Sequence, residues 1–137
     1  MLRFLFIVQF TNASLPRLPA MTALEVYPHM TLTMLQQHFT DHFPNLQLEL
    51  VRSDGTPVAG SKTMDELAGY PTHCCFVIDG DMPVAELEAN FRTCFGVAVR
   101  VNRWTGYAWH DTDEARQWTL DHHNRQAKKS RRHTLLQ

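Results

Sequence analysis

Residues 30–50 and 82–101 carry nearly the same pattern of apolar side chains, and this duplication limits the possible folds more than any other feature. The first stretch runs Met30, Leu32, Leu35, Phe39, Phe43, then Leu46, Leu48, Leu50. The second runs Met82, Val84, Leu87, Phe91, Phe95, then Val97, Val99, Val101. In each, the apolar spacing changes from three and four residues to two. Steps of three and four line one face of a helix, and steps of two line one face of a strand. Each stretch therefore reads as a helix running into a strand.

The 137 residues have room for one domain, or one domain with a partial second. An apolar content of 44% is enough for a real core. Residues 2–10 are rich in Phe, Leu, Ile and Val and read as a first strand buried on both faces. As a signal peptide the same segment would have a short apolar run and a single Arg, so the strand fits better. Pro16 and Pro19 mark a loop. Residues 23–27 read as a second strand, and Thr31 or Thr33 as the cap of the first helix, which Pro44 stops. Residues 46–51 alternate as a third strand, and Asp54-Gly55 is a turn signal. Residues 63–67 form one short helical turn ending at Gly69, and residues 74–78 a further strand.

This order of strand, strand, helix, strand, short helix and strand resembles the ubiquitin-like β-grasp. The resemblance is carried by Leu24-Glu-Val-Tyr-Pro28 before a Thr-led helix, by Asp54-Gly-Thr-Pro-Val58, and by Lys62-Thr-Met-Asp-Glu-Leu67. It covers residues 1–80, with a long first loop and without the Gly-Gly terminus that conjugated members use. It implies a ubiquitin-like β-grasp over 1–80; with the duplicated pattern and the charge run, the expected fold is α+β, a β-grasp followed by a partial second helix–strand repeat over 81–121 and a basic, disordered C-terminal tail over 122–137.

In the second unit, Pro83 opens a helix that Gly96 ends. A strand over 97–101 follows, then a hairpin over 102–109 turning near Thr105-Gly106. A last helix from Asp111 should carry Ala115 and Trp118 inward. The unit is either a truncated β-grasp repeat or a helix–hairpin–helix extension, and it packs on the first because its own core is small.

The net charge of −1 conceals an asymmetry. Arg125, Lys128, Lys129, Arg131 and Arg132 stand in a tail without acids, which leaves residues 1–121 strongly acidic. Three cysteines, two of them adjacent, make no disulfide framework, so reduced thiols and a cytoplasmic setting are expected. No apolar run reaches membrane-spanning length.

Arg100, Arg103, Trp104, Tyr107 and Trp109 could stack on bases and neutralise phosphate, with Arg125, Lys128, Lys129, Arg131 and Arg132 as an electrostatic anchor. The plainer account is that alternate members fill the second unit's core while the arginines face water. His110, Asp111, Asp113, His122 and His123 have no metal-ligand spacing. No nucleophile elbow, reactive Cys–His context or phosphate loop is visible. The expectation is therefore a non-catalytic ubiquitin-like protein-interaction module, an adaptor or regulator without cofactor or metal. By the resemblance its contacts fall on the exposed sheet face, at Gln47, Glu49, Val51 and Arg52. The alternative is a nucleic-acid-binding accessory protein using Arg100, Arg103, Trp104 and the tail. An exposed edge strand in the second unit would allow a homodimer.

Overall fold

The computed structural model describes residues 23–127. The expected first strand at 2–10 and the tail residues 128–137 lie outside them. The fold is mixed α+β with two sheets. The elements are β1 (Ala23–Val26), α1 (Leu32–His42), β2 (Leu46–Val51), β3 (Pro57–Val58), α2 (Met64–Ala68), β4 (Phe76–Asp79), α3 (Val84–Phe95), β5 (Ala98–Trp104) and β6 (Trp109–Asp111). A 3-10 turn at Asp113–Ala115 follows, and residues 120–127 are helical, here α4.

Local chemistry sets most boundaries. The Thr31 hydroxyl accepts from the Met34 N–H and caps α1. At α2 the Thr63 hydroxyl accepts from the Glu66 N–H while the Glu66 carboxylate accepts from the Thr63 N–H, a reciprocal capping box. Gly96 ends α3 at φ 66°, a left-handed conformation that costs a side-chain-bearing residue steric energy. The helices bury Leu32, Leu35 and Phe39 on α1, and Val84, Leu87, Phe91 and Phe95 on α3. These join Leu46, Leu48, Leu50, Val99 and Val101 in one core.

The β-grasp resemblance would make residues 1–80 a unit with its own sheet, but the described strands pair otherwise. β1 pairs antiparallel with β4 in a two-stranded ribbon. β2 joins β5 of the second unit, in a four-stranded sheet ordered β3-β2-β5-β6. Strands from both units thus share a sheet, and their helices share a core. One apolar face on each helix cannot be covered inside its own unit, so the two units cover each other.

The duplication extends well beyond the matched stretches. Met64 N–H donates to the Met30 carbonyl (2.9 Å), and Leu120 N–H to the Met82 carbonyl (3.0 Å). Leu32 N–H donates to Lys62 O, and Val84 N–H to Trp118 O. Asp65 N–H donates to Pro28 O, and Asp121 N–H to Gly80 O. Isolated bridges join Thr31 to Thr63 and Pro83 to Thr119. Hence α4 is the counterpart of α2. The repeat also places equivalent residues reciprocally across both sheets. Leu24 faces Ile78 while Val26 faces Phe76, and Leu48 faces Val101 while Leu50 faces Val99. The halves are related by a pseudo-two-fold axis. The pairs Glu25–Val77 and Glu49–Arg100 sit on it, each at the centre of its reciprocal register.

Several further expectations are corrected. The last helix begins at 120 rather than 111, because Thr112 turns in to bond the Val101 carbonyl through both its N–H and its hydroxyl. Trp118 consequently stays partly exposed. Residues 122–127 are helix, not tail: Leu120, His123 and Ala127 bury one face of α4, and Asn124 is tied to Asn45. The cysteines are not all reduced. Cys74, just before β4, is disulfide-bonded to Cys94 on α3, with Cα atoms 5.5 Å apart, and only Cys75 is free. Residues 71–75 are irregular rather than strand, so the bridging partners meet through tertiary packing. The argument for a cytoplasmic setting from reduced thiols therefore loses its basis. Among the described residues no helix is long and apolar enough to cross a membrane.

His123 gives α4 a pH dependence. Its ring is 1% exposed, and Nε2 lies 2.9 Å from the Ala115 carbonyl and must donate to it. Nδ1 is then a bare, buried lone pair with no partner among the described residues. A second proton would place a cation in a dry site facing Arg103 and His122. Burial first, and then these neighbours, push the His123 pKa below its ordinary 6.5, against the Ala115 bond, which raises it. The folded state therefore binds fewer protons than the unfolded state below that value. Stability should be fully present above pH 6.5 and fall as the pH drops beneath it. Urea midpoints between pH 8 and pH 5, compared with those of His123→Gln, check this: the variant should lose part of the acid-side slope, and an unchanged slope would refute the assignment.

Candidate functional site

Alternation along β2 turns Leu46, Leu48 and Leu50 to the core and Gln47, Glu49 and Val51 outward. On β5, Val99 and Val101 face the core, so Arg100, Asn102 and Trp104 share the outer face. Register places Gln47 opposite Asn102 and Glu49 opposite Arg100, and Asn102 opposite Asp111 on β6. An open groove of about 510 Å³ crosses this face, lined by Gln47, Glu49, Arg100, Asn102, Trp109, His110 and Asp111.

The groove floor is a bonded network. Asn102 Nδ2 donates to Gln47 Oε1 (3.1 Å) and to Glu49 Oε1 (3.0 Å). Arg100 lies 3.5 Å from Glu49 Oε1, and its second terminal nitrogen donates to the Gly55 carbonyl. All of these contacts to Glu49 fall on Oε1. Asn102 is buried beneath its neighbours, which a polar residue tolerates because both of its amide contacts are made. Trp104 and Trp109 meet edge-on at 5.4 Å, so the Trp109 ring is braced at the groove rim. Tyr107 stands 80% exposed at the hairpin tip. Among the described residues no group of three or more His, Cys, Asp or Glu is placed to hold a metal ion.

The sheet brings together residues that the sequence had assigned to separate surfaces. Gln47 and Glu49 lie beside Arg100, with Trp104 on the same face. Val51 is half-buried at the far end of β2. Arg52 is held in the β2–β3 turn, donating to the Pro57 carbonyl (3.2 Å). Arg103 lies on the opposite side, its guanidinium 5.8 Å from the Trp118 ring centre, and Arg125 is exposed on α4. The aromatic–basic cluster is therefore divided between two faces. Lys128, Lys129, Arg131 and Arg132 lie outside the described residues. Asn102 and Asp111 join the site; His110 borders the groove, but as the register partner of Arg103 it belongs to the opposite face. The available signal for Asn102 is that it continues the outward phase of Arg100 in the Val97-Val99-Val101 alternation. In the sequence, His110 and Asp111 suggest only metal ligation, for which the spacing is wrong.

No protein-family model, curated protein or solved structure matches the chain.

Proposed function

We propose that the chain is a non-catalytic protein-interaction module that presents the outer face of the four-stranded sheet to a partner. The observation that supports this most is the groove itself. Its polar side chains bond to one another across β2 and β5, which fixes a rigid, shallow surface, and aromatic rings stand at one rim. Such a surface loses little side-chain entropy on binding, and partly exposed Trp and Tyr are the residues that most often anchor protein contacts. The ubiquitin-like reading supplies only the expectation that a sheet face carries the contacts. Nucleic-acid binding draws less support from the geometry. Arg100 is neutralised by Glu49, Arg103 points away, and Glu49 and Asp111 would repel phosphate.

The test is binding of a candidate partner to the full chain, with Trp109→Ala and Gln47→Arg on the groove and Glu25→Lys on the ribbon as control. Saturable micromolar binding that is lost in the groove variants and kept in the control is the expected result. Loss in the control alone, or no effect of either groove variant on a bound partner, would sink the reading.

A further inference from the structure

The internal two-fold provides its own control. Where the halves share a backbone, a difference in side chains is not required by the fold. The outer strands β3 and β6 occupy corresponding edges of one sheet, and they differ sharply. β3 is two residues long, Pro57 has no N–H to offer, and its carbonyl already accepts from Arg52. That edge is closed to further pairing. β6 has three exposed residues and no proline. Thr112 N–H donates to Val101 O, and Thr105 N–H to Ala108 O. The ladder thus uses alternate residues of the hairpin, and the backbone groups of Trp109 and Asp111 point away from β5. The same two residues line the groove with their side chains. All three tryptophans of the chain, Trp104, Trp109 and Trp118, lie in the second half.

Charge identifies the guest. The 14 Asp and Glu residues all fall between positions 23 and 127, where they face seven Lys and Arg. In the groove, Arg100 and Glu49 pair through Glu49 Oε1, and Asp111 has no ion-pair partner among the described residues. We propose that β6 and the adjoining groove bind an extended basic segment of another protein. The segment adds as a strand to β6 through the backbone groups of Trp109 and Asp111. One of its Lys or Arg side chains crosses the Trp109 ring to reach Glu49 and Asp111. A second copy paired β6 to β6 is a poor occupant, since it would bring together two bodies in each of which 14 acids face seven cations. This inference rests on the docking-face reading above and adds the chemistry of the guest.

The test uses isotope-labelled full chain titrated with a blocked hexapeptide alternating lysine and valine, followed by amide and indole chemical shifts. Glutamate–valine and serine–valine peptides are run in parallel. Expected are saturable shifts centred on Trp109, Asp111 and Glu49, with affinity falling about fivefold in Asp111→Asn and again at high salt, and unaffected by Glu25→Gln. Shifts scattered over the surface, absence of saturation, or equal binding of the glutamate peptide would overturn the proposal. If the serine peptide moves the same amides as strongly as the lysine peptide, cation selection is wrong while the docking face stands. If removing residues 128–137 alone shifts those amides, the occupant is the chain's own basic run. If they shift with protein concentration alone, it is a second copy. Either result also overturns the proposal.

Discussion

Replacing Phe39 or Phe91 by alanine will cost the fold about 3–5 kcal/mol at each position. Both rings are completely buried, and they occupy equivalent places on α1 and α3. Each fills the space between its helix and the sheets, where neighbouring elements cannot close over a lost ring. The two sites differ in their aromatic company. Phe39 lies 5.2 Å from Phe43. Phe91 meets Phe76 edge-on at 5.0 Å and has Phe95 at 6.5 Å. An edge-to-face pair adds about 0.5–1.5 kcal/mol beyond area burial, so Phe91→Ala is expected to be the more costly. Urea unfolding measures both, and the milder Phe→Leu variants preserve the comparison if alanine leaves nothing folded. A cost under about 1 kcal/mol at either site would show that the two helices are not equivalent core elements.

Breaking the Cys74–Cys94 bond is the second large effect, about 3 kcal/mol for a closed loop on the order of 20 residues. The bond ties the segment entering β4 to the far end of α3, so its loop contains β4 and most of that helix. Without it, the unfolded chain regains the freedom of that whole stretch. Cys74→Ala and Cys94→Ala should each lower the urea midpoint by the same amount that reductant lowers it in the unaltered chain. Cys75→Ser should stay within about 0.5 kcal/mol, because Cys75 is exposed and unbonded. Thiol titration of the unfolded, unreduced protein should find Cys75 alone. Three reactive thiols would mean that the bond does not form.

The helices, and the strands that follow them, were legible in the sequence because period and punctuation agree there. Thr63 three residues before Glu66, Gly69, Pro83 and Gly96 all act locally, and local rules read them. What the sequence hid was long-range. Nothing in Leu46–Val51 says that its neighbour on the side away from β3 is Ala98–Trp104, because an apolar alternation fits any partner. The disulfide escaped for the same reason: Cys74 and Cys94 are brought together by β4 and α3 packing on one core. Helix α4 was hidden by composition. Its buried face consists of one leucine, one histidine and one alanine, and Arg125 at its surface made it look like the start of a charged tail. The groove was half visible, since β2 alternation exposed Gln47 and Glu49, but their meeting with Asn102 and Asp111 depends on strand order.

The pair on the pseudo-axis carries a consequence for how the halves choose each other. In a true homodimer, a residue on the dyad meets its own copy. Two first halves brought together would set Glu49 against Glu49 and Glu25 against Glu25, and two second halves would set Arg100 against Arg100. Only the mixed pairing gives Glu49 an Arg100, 3.5 Å away. Joining both halves in one polypeptide therefore allows opposite charges where symmetry would demand identical ones. The charge pair therefore favours the pairing of unlike halves over either pairing of like ones, a preference that a symmetric assembly of identical halves could not have.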